Sequence, residues 1–333
     1  MVDNAYPPVD IQCCASSNYL VCLSNCSTSY SWSDTYVAYN ALPCVDFSPT
    51  LGVTITSGSY IVNLTNTAAH FSIMFNNTNG WRTLTSVTAG GSGAPWQLEC
   101  DIDIRLRPDN GLINTPPTAN IISPIKIPVN VQETIQWSTF DADGDDIRCR
   151  WATGAECGGV CKSLSTYPAG TNLTSNCALN IKGTAVGTWY ALAIMVEDFV
   201  NSTSFTALSS VPLQFLISVI NASCLDPPDI IPLDQSCIGV KVGVNYTYIF
   251  YAISNCGSTV TISDIATQSF TGLRKIVPVT AINSTLYYIE VQWTPSASQT
   301  GSQTLSWAYN HHNTALHLLL KIERLQVPVQ QNT

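Results

Sequence analysis

Leu98-Glu-Cys-Asp-Ile-Asp-Ile-Arg-Leu-Arg107 is the stretch that decides the fold class. Leu98, Cys100, Ile102, Ile104 and Leu106 alternate with Glu99, Asp101, Asp103, Arg105 and Arg107. Side chains on a strand point to opposite faces in turn, so this period of two marks a half-buried strand with Cys100 on its inner face. The same period recurs along the chain. Ile147, Cys149 and Trp151 face away from Arg148 and Arg150, and Tyr287, Ile289, Val291 and Trp293 share one face. Val244, Tyr246, Tyr248 and Phe250 lie opposite Asn245 and Thr247, while Trp189 to Val196 and Val211 to Ile220 read as more fully buried strands. No window of ten or more residues carries helical spacing, which predicts an all-β chain.

Two Pro-rich segments interrupt the strands. One is Arg107-Pro-Asp-Asn-Gly-Leu-Ile-Asn-Thr-Pro-Pro117; the other runs from Asn221 through Pro227, Pro228 and Pro232 to Cys237. Both are rich in turn formers and poor in residues able to pack, as linkers are. They divide the chain into blocks 1–115, 116–222 and 223–333, each close to the size of an immunoglobulin-like sandwich. The expected architecture is a tandem of such domains braced by disulfides.

Charged residues make up 11% of the 333, less than half the usual share, yet 45% are hydrophobic and eight Trp and fourteen Tyr are present. Such a chain buries cores and draws its solubility from Ser, Thr, Asn and attached sugars. A net charge of −9 without a Lys or Arg run makes nucleic acid and anionic membrane surfaces poor candidates as partners, and neither is expected. The apolar runs at 211–220 and 316–322 fall well short of the ~18 residues of a membrane helix, so no membrane insertion is expected.

Thirteen Cys with four His and no pair of CxxC motifs point to disulfides in an oxidising compartment, not to zinc. Cys13, Cys14, Cys22, Cys26, Cys44 and Cys100 fall in the first block and Cys149, Cys157, Cys161 and Cys177 in the second. Even counts suit pairing within a block, and Cys149–Cys177 with Cys157–Cys161 is one of three connectivities for the second. Cys224 and Cys237 bracket the second linker and are expected to close it, leaving Cys256 unpaired or joined to another chain. N-linked glycans are expected from the N-x-S/T triplets at Asn25, Asn63, Asn76, Asn172, Asn201, Asn221, Asn245 and Asn283. Met1 leads into polar residues and Pro7-Pro8 without a signal-peptide pattern, so an extracellular chain is expected whose signal is not in the sequence.

Four motifs in order carry a family resemblance: Asp141-Ala-Asp-Gly-Asp-Asp-Ile-Arg-Cys-Arg-Trp151, Glu156-Cys-Gly-Gly-Val-Cys161, Ala193-Ile-Met-Val-Glu-Asp-Phe199 and Leu208-Ser-Ser-Val-Pro-Leu-Gln-Phe-Leu-Ile217. Over roughly residues 80–310 the chain resembles uncharacterised multidomain glycoproteins of aquatic invertebrates, built from immunoglobulin-like and fibronectin-type units. The resemblance implies an extracellular setting and a sandwich fold, and no established activity. Residues 1–80 lie outside it, and 305–322 lack the cysteine pair usual in its last strand. The chain as a whole is also similar to glycoprotein filament subunits of natural waters, a likeness that no single motif carries.

Asp141, Asp143, Asp145 and Asp146 form the only dense acidic cluster, and close carboxylates suit Ca²⁺. An EF-hand is excluded, because Asp146 and Ala152 stand where its Gly and Glu belong. A cadherin-like Ca²⁺ site at Asp141, Asp143 and Asp145, with Glu197 and Asp198 as further ligands, competes with a plain polar turn, which is the preferred reading. No other cofactor is expected. His311, His312 and His317 lack a nearby Cys or carboxylate to complete a metal set; a hairpin loop at His311-His312 and a strand flank at His317 explain them better. Gly90-Gly-Ser-Gly-Ala-Pro95 misses the nucleophile elbow at Ala94. With no catalytic dyad visible, an enzyme is not expected.

Leu316, Leu318, Leu320 and Ile322 alternate cleanly, and Leu325, Val327 and Val329 continue in the opposite phase. Either a bulge near Glu323-Arg324 turns one long closing strand, or part of it completes a neighbour's sheet. The second course joins copies head-to-tail into a homopolymer. The sequence therefore predicts a structural extracellular glycoprotein, a filament or matrix subunit. The alternative is a monomeric adhesion or receptor ectodomain for a protein or glycan ligand.

Overall fold

The computed structural model describes residues 96–121, 123–161, 167–226, 228–231, 239–268, 272–299, 301–302 and 306–311, with the shorter pieces 19–24, 38–39, 44–48, 53–56, 70–77, 84 and 326–327. The described chain is all-β, with short 3₁₀ turns and no α-helix among the described residues.

The first block supplies β1 (Tyr19–Ser24), β2 (Ala38–Tyr39), β3 (Cys44–Ser48), β4 (Val53–Thr56), β5 (His70–Asn77) and β6 (Trp96–Asp103). The second supplies β7 (Thr118–Asn120), β8 (Ile125–Pro128), β9 (Gln132–Gln136), β10 (Ser138–Phe140), β11 (Asp146–Trp151), β12 (Asn172–Leu173), β13 (Ala178–Lys182), β14 (Trp189–Phe199) and β15 (Ser209–Ile220). The third supplies β16 (Asp229–Ile231), β17 (Tyr246–Ile253), β18 (Ile262–Gln268), β19 (Arg274–Ala281), β20 (Leu286–Trp293), β21 (Gly301–Ser302), β22 (Ser306–His311) and β23 (Gln326–Val327).

The second block is a sandwich. β11, β14 and β15 form one sheet, with β8 added parallel to the end of β15, and β12, β13 and β9 form the other. Alternation sorts the core: Tyr190, Leu192, Ile194 and Val196 of β14 and Leu213, Phe215, Ile217 and Val219 of β15 meet Ile135, Leu179 and Ile181 from the facing sheet. Burying each such side chain contributes roughly 1.5–3 kcal/mol. Cys149 of β11 bonds Cys177, just before β13, and so ties the two sheets together inside this core. The outer face of β14 carries Ala191 and Ala193, small enough to admit the Cys157–Cys161 loop and Leu84 of the first block. In the third block β16-β17-β20-β19 faces the pair β18-β22 across a core of Tyr248, Phe250, Ile265, Tyr287, Ile289 and Trp293.

The Pro-rich segment at 107–117 does not interrupt the sheet. β6 joins the free side of β15 at Ser210↔Asp101, and β5, β1 and β2 follow, giving one path β11-β14-β15-β6-β5-β1-β2. Gln214 Nε2 fastens the junction, donating to the carbonyls of Gln97 at 2.7 Å and Glu156 at 3.1 Å.

Two cysteine expectations are corrected. Cys224 bonds Cys256, not Cys237, so Cys256 is neither unpaired nor intermolecular. Antiparallel pairing of Asp229 with Ile253 draws the two linker-flanking segments together, a long-range neighbourhood that sequence spacing does not reveal. Cys100, expected in a disulfide, is a free thiol; its Sγ lies 3.9 Å from the Ser210 carbonyl, where β6 meets β15 and no second cysteine stands among the described residues. Cys22 is disulfide-bonded. Cys13, Cys14, Cys26 and Cys237 lie outside the described residues, as do Asn25, Asn63, His312, His317, the loop 90–95 and the run 316–322.

Candidate functional site: an arginine clasp on the acidic turn

The strand expected over Leu98–Arg107 ends at Asp103, and its alternation then breaks. Leu106, expected inside, is 66% exposed, while Arg107, expected in solvent, has a side chain only 4% exposed. The segment after it is a tight loop: Arg107 N donates to Leu112 O at 2.8 Å, Gly111 N to Arg107 O at 2.9 Å, and Leu106 bridges Ile113. Gly111 has φ +72°, which a side chain would resist.

This loop aims Arg107 at the acidic turn, and all five guanidinium N–H groups find acceptors. Nε and Nη2 donate to Asp109 at 3.0 and 2.8 Å, Nη1 and Nη2 to Asp145 at 2.5 and 3.0 Å, and Nη1 to Asn114 Oδ1 at 2.9 Å. Asp143 stands 3.7 Å from Nη1 and accepts the Thr115 N–H at 2.7 Å. The Arg107 charge, with its hydrogen bonds first, holds the Asp109 carboxyl below the usual carboxylate range.

Asp141 folds the turn itself. Its Oδ1 accepts the backbone N–H groups of Asp143 and Asp145 at 2.8 and 3.1 Å, with Gly144 between them at φ +82°. Its Oδ2 is buried without a donor, and burial foremost pushes the carboxyl up, with the charges of Asp198 and Asp145 adding to it. Asp198 is fully buried at the end of β14; it accepts Ser209 N at 2.6 Å, Ser209 Oγ at 2.7 Å and Asn114 Nδ2 at 2.6 Å.

The structure thus brings Asp141, Asp143 and Asp145 together, with one carboxylate oxygen of each within 4.8 Å of the others. It does not bring Glu197, which lies on the other face of β14 and accepts from Arg150 Nε at 2.8 Å. Both oxygens of Asp145 are taken by Arg107. An internal guanidinium therefore supplies positive charge where a cation would stand, which favours the turn reading over Ca²⁺. Arg107 is the residue that sequence reasoning missed. The available signal was an Arg followed two residues later by Asp109, in a chain whose dense acidic cluster holds more carboxylates than the one Arg148 pairs with at Asp146.

No family model matches the chain, and no curated protein matches it. Among solved structures, an endo-fucoidan hydrolase from glycoside hydrolase family 107 is 12% identical over 93% of this chain and 38% of its own, with a TM-score of 0.21. The chain thus spans under two fifths of that hydrolase. Titin domains z1z2 in complex with telethonin are 12% identical over 67% of this chain and 100% of theirs, TM-score 0.21. Protocadherin gamma B7 extracellular cadherin domains 1–4 are 12% identical over 78% of this chain and 57% of theirs, TM-score 0.23. Likenesses this low carry no argument about activity or partners; the sandwich assignment rests on the sheets and cores above.

Proposed function

We propose that the chain is a structural extracellular glycoprotein, a subunit of a filament or matrix that assembles head-to-tail through its terminal segments, and that it has no catalytic role. The observation that supports this reading is the way the chain joins its own blocks. β6 adds to the free side of β15 by backbone pairing, and the Arg107 clasp fastens the loop that follows it. Strand addition to an open sheet edge works equally between chains, because the ladder reads backbone groups and not a particular side chain. A contact between unlike ends does not close on itself, so its repetition gives a fibre. Sandwiches braced by Cys149–Cys177, Cys157–Cys161 and Cys224–Cys256 suit an oxidising, exposed setting.

Negative-stain imaging of the native, full-length protein tests the proposal. A regular fibre in which residues 1–12 or 316–333 pair with another subunit is the expected result. A monodisperse monomer would overturn it in favour of an adhesion or receptor ectodomain.

A further inference from the structure

Eight sequons leave open which asparagines carry sugar, but two of them share a local geometry. Asn201 sits in the tight connection from β14 to β15, and Asn283 in that from β19 to β20. In each, Oδ1 collects three donors from its own turn. Asn201 Oδ1 accepts Thr203 N at 3.0 Å, Thr203 Oγ1 at 2.7 Å and Ser204 Oγ at 3.3 Å. Asn283 Oδ1 accepts Thr285 N at 2.9 Å, Thr285 Oγ1 at 3.2 Å and Leu286 N at 2.8 Å. With the oxygen held inward, Nδ2 is turned to water; both residues are exposed and neither Nδ2 has a partner among the described residues. Two other described sequons differ. Asn245 Oδ1 accepts Thr294 Oγ1 from a neighbouring segment at 3.3 Å, and the Thr174 hydroxyl of the Asn172 sequon is engaged with the Ala178 backbone.

Each tip also carries bare apolar surface. Phe205, four residues beyond Asn201, is 98% exposed, Val200 is 37% exposed, and Ile282 beside Asn283 is 50% exposed. The Phe205 tip is not loose: Arg148, its guanidinium 4.1 Å from the Phe199 ring centre, donates to the carbonyls of Ser204 at 2.7 Å and Asn201 at 3.0 Å. A nearly bare aromatic ring on a pinned hairpin holds a flat apolar face in a fixed place.

We infer that Asn201 and Asn283 carry N-linked glycans, and that the first N-acetylglucosamine on Asn201 lies over the face of Phe205. This deepens the extracellular reading above and rests on it, though not on the filament. The co-reactant is an oligosaccharide joined to a lipid pyrophosphate. Asn Nδ2 forms a bond to its anomeric carbon as the bond from that carbon to the pyrophosphate oxygen breaks. The lipid pyrophosphate leaves with the electron pair, and the displaced amide proton passes to a carboxylate of the transferase. Oδ1 keeps its three donors throughout, so the turn survives the modification. The flat, C–H-lined face of the sugar then covers the ring and removes apolar area from water.

The test is expression of the full chain behind a secretory leader in a eukaryotic host. Release of glycans by an amidase in heavy-oxygen water then marks each formerly glycosylated Asn in the peptide map. Marks at Asn201 and Asn283 are expected. A secreted, disulfide-bonded chain with both residues unmarked overturns the assignment and leaves the extracellular reading standing, whereas a chain retained in reduced form overturns both. Amidase treatment removes the sugar and converts Asn201 to Asp, which preserves the Oδ1 acceptor and adds one negative charge. The stripped protein should bind a hydrophobic dye several-fold more strongly, and Phe205→Ser in the stripped protein should abolish that gain. Unchanged dye binding after stripping overturns the stacking on Phe205.

Discussion

Replacing Arg107 by Met keeps the length of the side chain and removes its charge and all five donors. Asp145, 8% exposed at its side chain, then holds a buried negative charge with both oxygens unpaired, beside Asp141 and Asp143. Stranding one partner of a buried ion pair costs about 3–5 kcal/mol. The Asp109 arm adds little, because Asp109 lies at 30% exposure and water takes over its hydrogen bonds. For a cooperative unit of about 200 residues the expected fall in Tm is roughly 10 °C. Arg107→Lys restores charge without the fork and should recover only part of the loss. Asp145→Asn in the Arg107→Met background should restore stability by about 1–3 kcal/mol, because it removes the stranded charge. The assay is thermal and urea unfolding of the disulfide-intact chain at low and high salt. A loss below about 1 kcal/mol, or one that vanishes in high salt, would identify an ordinary surface pair and refute the clasp.

Cys100 should resist thiol reagents in the native state, since burial foremost pushes its thiol up to about 11. A folded value above the unfolded one, near 8.5, means that the stabilisation is complete below that pH and is lost as pH rises from there towards about 11. Two units or so correspond to about 3 kcal/mol, read as a falling urea midpoint in wild type and a flatter profile in Cys100→Ala. Cys224→Ser with Cys256→Ser opens a link spanning 32 residues and should cost about 4 kcal/mol. Non-reducing peptide mapping should join Cys224 to Cys256, and a Cys224–Cys237 peptide would contradict the fold. A chelator should leave Tm nearly unchanged. A drop matching the ~2.7 kcal/mol of a site filled at a hundred times its Kd would place Ca²⁺ at Asp141, Asp143 and Asp145.

What the sequence made legible is what one strand can report about itself. β20 could be read residue by residue because it lies against a core on one face, so burial follows the pleat: Tyr287, Ile289, Val291 and Trp293 are all buried as alternation requires. Cys149–Cys177 was one of three connectivities open to the four cysteines of the second block, and the inner-face place of Cys149 did not choose among them. The clasp broke the rule at the one place where a charge outweighs a leucine. Five hydrogen bonds to two carboxylates and an amide hold Arg107 in beyond the end of β6, and Leu106 beside it is turned out. Cys256 and the β6–β15 junction were illegible for a different reason. Both depend on which sheet edge a strand joins, and a backbone ladder accepts almost any sequence at its edge. The same indifference makes strand addition a workable means of linking one chain to the next. A side-chain interface would have left a pattern in the sequence; a backbone interface leaves only an edge and a free strand of the right length.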